Sequence, residues 1–228
     1  MNLHLLQLGD SALPIGGYSH SWGLEAAIEQ AIVRDAESLE QWVRRWLRDT
    51  VGPFEGVLVA AACRAAQTAA WPDVLWCNDL LRAGLAPPTL RHASRDMGEH
   101  LLQLAEAWPW ASDVAAALRR TMVNGDEAGE WHHAIVFGTL TATAGSSASD
   151  TVAVYLHQAA LGCISAGVRA IPIGHTHGQQ ILAGLHDELA ALAEEFATRE
   201  PETAGSFCPA YDVLCHAQAN LYTRIFRS

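Results

Sequence analysis

The sequence predicts an all-α protein, a compact bundle of roughly eight to ten helices around a buried central helix. Apolar residues recur at three- and four-residue steps in each long segment, which is the period of a helix. We find no β-hairpin signal. The stretch from Asp150 to Ala170 is apolar or small on nearly all sides, which predicts a helix that is buried on nearly all sides.

This central helix should end by about Ala170, because Pro172 pushes the residue before it out of helical geometry. Two glycines lie inside it, Gly162 and Gly167. Each weakens a helix by roughly 1 kcal/mol relative to alanine, so we expect a close packing contact at both positions.

The other helices follow from caps, prolines and apolar stripes. Ser38 and Gln41 form a predicted capping box, and Pro53 suits the first turn of the helix that follows. The predicted segments are 20–32, 38 to Gly52-Pro53, 53–70, 72–84, 87–108, 112–122 with a turn at Asn124-Gly125, 131–144, 179–200 and 210–226. Residues 201–209 read as a linker, so 201–228 is predicted to be a linker plus a C-terminal partner-docking helix.

Composition favours a single domain over residues 1–228, since half of the residues are hydrophobic and 17% are charged. The net charge is -11 and all fourteen basic residues are arginines. An acidic chain is a poor nucleic-acid binder. Without lysine there is no Walker A loop and no Schiff-base lysine.

Five cysteines without a CxxC pair indicate reduced thiols and a cytoplasmic location. The first residues lack the basic and apolar regions of a signal peptide. Asp150, His157 and Arg169 interrupt the longest apolar run, so we expect no membrane span.

Histidines are numerous, and His175 and His177 are the weak candidates for a metal site because both are predicted to lie in one loop. Neither has a cysteine or carboxylate at the usual ligand spacing, and HExxH is absent from the sequence. His132 and His133 are adjacent, so on a helix they point about 100° apart. We therefore expect no resident metal or cofactor.

The glycine-rich segment around Tyr18 lacks the pattern of a nucleotide-binding loop, and Gly16-Gly17 predicts a tight turn that presents Tyr18. At the other end, residues 221–228 combine aromatic and aliphatic groups with Arg224 and Arg227. Tyrosine and arginine are common interface anchors. Two readings stay open for this segment: folding back on its own core, or docking on a partner. The residues alone thus favour binding or scaffolding over catalysis.

Three stretches resemble the UreF family of urease accessory proteins. They are Leu6-Gln7-Leu8 with Leu13-Pro14-Ile15-Gly16-Gly17-Tyr18-Ser19 and Gly23-Leu24-Glu25; Ser165 to Gly174 with Gly178-Gln179-Gln180; and Pro209, Asp212, His216 and Tyr222 to Ser228. Arg91 to Leu104 and Val136-Phe137-Gly138 also fit. The order and spacing of these stretches span essentially the whole chain.

The resemblance implies an all-helical, dimeric, non-enzymatic chaperone for nickel insertion into urease. Members of the family bind UreD, also called UreH, and this pair recruits the GTPase UreG to deliver nickel to the urease apoprotein. UreF-like proteins modulate the GTPase and bind no nucleotide themselves. Nickel is handled by the complex, so no cofactor of this chain is implied.

This sequence departs from the family at three histidines. The family usually has glutamine where His175 stands, this chain adds His177, and the family often has an aromatic residue where His20 stands. The alternative hypothesis is therefore a carrier or metalloenzyme that uses His175 and His177 to bind nickel or zinc.

Partner-binding roles are expected at three places: the Tyr18 loop; Arg169 with His175 and Gln179, facing the GTPase; and the C-terminal segment with Tyr222, Arg224, Phe226 and Arg227. Arg169 ends a buried helix, so it needs a carboxylate or a partner.

Overall fold

A computed structural model describes residues 2–123 and 130–228. Within these residues the all-α prediction is confirmed, and no strand occurs among them. The helices are α1 (Leu3–Leu8), α2 (Leu24–Glu29), α3 (Ala36–Trp46), α4 (Val57–Gln67), α5 (Trp71–Gly84), α6 (Pro88–Glu106), α7 (Ser112–Val123), α8 (His133–Thr143), α9 (Ala148–Ala170), α10 (His175–Gly184), α11 (His186–Ala197) and α12 (Pro209–Gln218). The predicted turn at Asn124-Gly125 lies outside the described residues.

The most deeply buried helix is α8, in which every residue from His133 to Thr141 is buried. It packs against α4 and α6. Gly138 permits the close approach to α4, because a Cβ atom at this position would lie 2.4 Å from the carbonyl oxygen of Val59. Buried residues from Leu8 to Phe226 join in one hydrophobic cluster around this pair of helices.

The predicted central helix is α9, and it ends at Ala170 as the position of Pro172 predicts. Its burial is one-sided, because Gln158, Leu161 and Ser165 remain partly exposed along one face. Gly167 has the expected packing contact, with a Cβ atom there falling 2.6 Å from the Leu39 side chain. The same expectation is wrong for Gly162, where nothing lies within 4 Å.

By length and composition α9 could also cross a membrane. Half of the apolar part of α9 is buried inside the protein, where the helix packs against α4, α10 and α11 among others. Core helices commonly pass the same test, so packing within the fold accounts for its composition.

Two predicted boundaries of α3 are wrong. Asp35 caps the helix, and Ser38 is the third helical residue that completes a reciprocal capping box. Gly52-Pro53 does not end the helical path, since a π-helical stretch at Leu47–Gly56 carries α3 into α4. The wider π turn accommodates the proline ring, and Gly52 lies where a Cβ atom would overlap the Phe196 ring.

Further differences concern helix lengths. The helix predicted at 20–32 is shorter in the structure, where it is α2. Trp22 and Gly23 before it and Ala31 after it have positive φ angles of 55°, 80° and 57°, which are not helical. The predicted helix 179–200 is two helices, α10 and α11, that meet at Leu185.

The C-terminal part also differs from the prediction. The linker is tied to the π-helical stretch, since the N–H of Gly205 donates to the carbonyl of Pro53 at 3.1 Å. Helix α12 ends at Gln218 and not near Phe226. Residues 219–228 form a non-helical tail that folds back on residues 18–25, as the hydrogen bonds below establish.

Candidate functional site

The tail is held by its backbone. The carbonyl oxygen of Ser228 accepts hydrogen bonds from the N–H groups of Ser21 at 2.5 Å and Trp22 at 3.1 Å. The N–H of Arg227 donates to the carbonyl of Ser19 at 2.8 Å. Main-chain bonds that do not depend on side-chain identity therefore join residues 19–22 to residues 227–228, about two hundred positions away.

A buried carboxylate completes the attachment. Glu25 on α2 accepts hydrogen bonds from the N–H groups of Ile225 at 2.6 Å and Phe226 at 3.2 Å. Gln218 donates to Ser21 Oγ at 2.9 Å, beside the same carboxylate. Bonds from backbone N–H groups to an ionised carboxylate are stronger than neutral ones, so Glu25 is a main anchor of the tail.

Arg169, at the end of α9, joins the Tyr18 loop to the tail. Its guanidinium carbon lies 3.7 Å from the centre of the Tyr18 ring and 4.6 Å from that of Phe226. Its Nη2 donates to the carbonyl of Tyr18 at 2.9 Å and its Nε to the carbonyl of Ser165 at 3.1 Å. We call Tyr18, Arg169 and Phe226 the Arg169 stack. Two aromatic faces and two carbonyls thus satisfy the cation.

The side chains in and around the Arg169 stack differ in their exposure to solvent. Tyr18 is 67% exposed, and Tyr222 is fully exposed. Arg224 and Arg227 are also exposed, whereas Phe226 is 3% exposed and contributes its ring to the inside of the protein. The structure therefore brings Tyr18, Arg169 and the tail residues into one surface.

Behind the Tyr18 loop lies a cavity of about 210 Å³, between residues 10–18 and the open face of α9. Tyr155 donates a hydrogen bond to Glu55 at its wall. Burial raises the pKa of the Glu55 carboxyl above its ordinary value, and burial also lowers the pKa of His133 to about 4. Within the described residues Ser94 Oγ and His133 Nε2 have no hydrogen-bond partner, so water in the cavity is expected to satisfy them.

A model of the UreF family matches residues 33–186. The urease accessory protein UreF of Cupriavidus metallidurans is 33% identical over 99% of this chain and 97% of its own length. UreF of Ectopseudomonas mendocina is 31% identical over 98% of this chain and 97% of its own length. The chain belongs to the UreF family.

For this UreF-family chain, the position of α10 corrects one prediction. His175 and His177 lie in the first turn of α10 and not in a loop. Residues two apart on a helix do not face each other, so the two imidazoles point to different sides. In the described part of the chain no group of three or more His, Cys, Asp or Glu side chains could hold a metal ion. His175 and Gln179 are both exposed, outside the Arg169 stack.

Two residues of this UreF-family site were not predicted to bind the tail. His20, the departure from the family aromatic, is buried, and its Nδ1 shares a 2.7 Å hydrogen bond with Ser228 Oγ. Burial, then the nearby Arg227 charge, lowers the pKa of His20 to about 4, so its ring is neutral near pH 7. Glu25 was part of the family motif, but its spacing gave no sign of a contact 200 residues away.

Proposed function

We propose that this chain is a non-catalytic chaperone of urease maturation. In this proposal it bridges UreD, also called UreH, and the GTPase UreG in the cytoplasm, modulates the GTPase, and so promotes nickel insertion into the urease apoprotein. Membership of the UreF family supports the accessory role, since relatives of nearly equal length are named urease accessory proteins. Nickel is the cargo of the complex.

The observation that carries the docking role is the contrast within the tail. Its backbone is fixed by Ser19, Ser21 and Glu25, while Tyr222 is fully exposed and Ile225 is 64% exposed. Apolar and aromatic groups on a fixed backbone lose little conformational entropy on binding, which favours tight association. A partner that covers these apolar side chains in the complex would explain why they are exposed in the isolated chain.

Charge supports the same assignment. Arg224 and Arg227 place two positive charges on the tail of a chain whose net charge is -11. A basic patch on an acidic protein attracts an acidic partner surface and disfavours a basic one. We assign the tail to UreD, and the exposed His175 and Gln179 on α10 to the surface that meets UreG.

The proposal is tested by co-purification of this chain with UreD and UreG, followed by urease activation and a count of nickel per active site. Tyr222→Ala and Arg224→Ala should each reduce the retained partner about tenfold or more, because interface anchors are worth about 2 kcal/mol or more. Both side chains are exposed, so helical content should not change.

Arg34→Ala is the control for Arg224→Ala, since Arg34 is also exposed and lies on a different segment. It should bind partners as the parent does. If no complex forms and urease activates equally well without the chain, the proposed function is wrong. If the complex forms but Tyr222→Ala and Arg224→Ala bind normally, the tail is not the docking surface.

We further propose a homodimer. Light scattering on the purified chain should give twice the mass of 24.5 kDa. A mass of a single chain at micromolar concentration would contradict this part of the proposal and leave the docking assignment unaffected.

A further inference from the structure

Two histidines outside the family motifs face each other across a helix pair. His157 lies on α9 and His186 is the first residue of α11, and their ring centres are 6.0 Å apart with the planes inclined at 36°. Helices α9 and α11 pack along one another, so the core of the protein fixes the backbone on both sides. Neither histidine belongs to the Arg169 stack or lines the cavity.

Both rings are suited to bind a cation from solvent. His186 is exposed and His157 is half-buried. Burial lowers the pKa of His157, and the neighbouring His186 lowers it further. The neutral imidazole, with a lone pair on one nitrogen, is the form that ligates metal ions, and the direction of this shift favours that form.

The spacing is close to that of a shared ion. A zinc ion lies about 2.0–2.1 Å from each ligating imidazole nitrogen, which places two ring centres about 5.2 Å apart at the tetrahedral angle. The observed 6.0 Å exceeds this separation by less than 1 Å. Because His186 is exposed, a change of its side-chain rotamer is the movement that would close the gap.

We propose that His157 and His186 form a two-histidine site for a divalent transition-metal cation such as Ni²⁺ or Zn²⁺, with water in the remaining positions. Imidazole pairs favour these ions over Mg²⁺ and Ca²⁺, which prefer oxygen ligands. With no third His, Cys, Asp or Glu ligand in the described part of the chain, the ion exchanges readily. The site does not depend on the proposed docking role.

The full chain, stripped with chelator, is titrated with NiCl₂ and separately with ZnCl₂ by calorimetry, with imidazole NMR resonances followed in parallel. One ion per chain should bind, and the ring signals of His157 and His186 should shift. His186→Ala and His157→Gln should each weaken binding at least about tenfold, because even residues that only support a metal ligand contribute about 10- to 100-fold.

The paired change His175→Ala and His177→Ala is the control, since it removes two exposed imidazoles from the first turn of α10. It should leave the affinity unchanged. His186→Ala removes an exposed side chain, so its folding is secure even where a change at half-buried His157 disturbs packing. Equal binding by His186→Ala and the parent, loss of binding in the control pair, or no binding of either ion would each overturn the site.

Discussion

Helices α8 and α9 share an apolar composition but not an environment. All residues of α8 from His133 to Thr141 are buried, and its threonines turn their hydroxyls back onto the helix, as Thr139 does with the carbonyl of Ile135 at 2.8 Å. Helix α9 is buried on one side only. Its other side lines the cavity, and its end carries Arg169 beneath the tail.

The difference teaches where each kind of constraint acts. In α8 every position is constrained by packing, so substitutions there should change stability. The open face of α9 makes few contacts, so substitutions there are free to serve a partner or ligand. Each prediction below tests one side of this contrast, in order of decreasing effect.

The largest effect should come from acid. Burial first lowers the pKa of His132 and of His133, at the start of α8, to about 4 each, below the unfolded value of 6.5. Between pH 6.5 and pH 4 the unfolded chain binds protons at these histidines and the folded chain does not. The free energy of unfolding should therefore be highest above about pH 6.5 and fall toward pH 4, by up to about 3 kcal/mol for each histidine.

Denaturant unfolding at a series of pH values measures this loss. His133→Leu should flatten the curve, whereas His175→Ala, on the exposed turn of α10, should not. Unfolding free energies that stay constant between about pH 6.5 and pH 5 would contradict the assignment of neutral, buried histidines.

The next effect concerns Gly138 in α8. Gly138→Ala puts a methyl group 2.4 Å from the carbonyl oxygen of Val59, so α4 and α8 must separate. Overpacking of this kind costs about 2 kcal/mol, more than the gain in helix propensity. Thermal unfolding should show a lower midpoint. An unchanged midpoint would mean that the contact between α4 and α8 yields easily.

At the cavity wall, Tyr155→Phe removes the hydrogen bond to Glu55. We expect the free energy of unfolding to fall by about 1 kcal/mol. This is at the low end of the cost of leaving a buried acceptor unpaired, because cavity water can replace the phenol as the donor. The bond lowers the pKa of Glu55, so its removal should raise that pKa further. Carboxyl carbon NMR of the two proteins measures the shift, and a fall in the pKa would contradict the argument.

The smallest effect should be a gain. Gly162→Ala adds a methyl group on the open face of α9, where nothing lies within 4 Å. Helix propensity should then stabilise the fold by about 1 kcal/mol. If the variant is instead destabilised, or loses partner binding while remaining folded, another molecule approaches the helix at this glycine.

Local chemistry explains which parts of the fold the sequence predicted. Pro72 and Gly84 bound α5, and Pro172 stops α9, because proline and glycine act on the residues next to them. The same reasoning failed at Pro53, where a π turn absorbs the ring. It also failed at Trp22 and Ala31, whose positive φ angles no propensity scale predicts.

The candidate site was predicted residue by residue but not as a unit. Arg169 was expected to need a carboxylate or a partner, and it finds the rings of Tyr18 and Phe226. Periodicity describes neighbours three or four positions apart, so it could not reveal the bonds from Glu25 to Ile225 and Phe226. The partner-binding roles all stay predictions, for Tyr18, Arg169, His175, Gln179, Tyr222, Arg224, Phe226 and Arg227.

The bond between His20 and Ser228 spans 208 positions, which has a consequence for biosynthesis. Contacts between residues this far apart in sequence form late, after the local helices. The chain loses loop-closure entropy before the contact contributes any favourable free energy. On the ribosome, residues 18–25 emerge long before the tail that locks them. A nascent chain that lacks residues 219–228 would therefore hold its local helices without the bonds that join residues 18–25 to the tail.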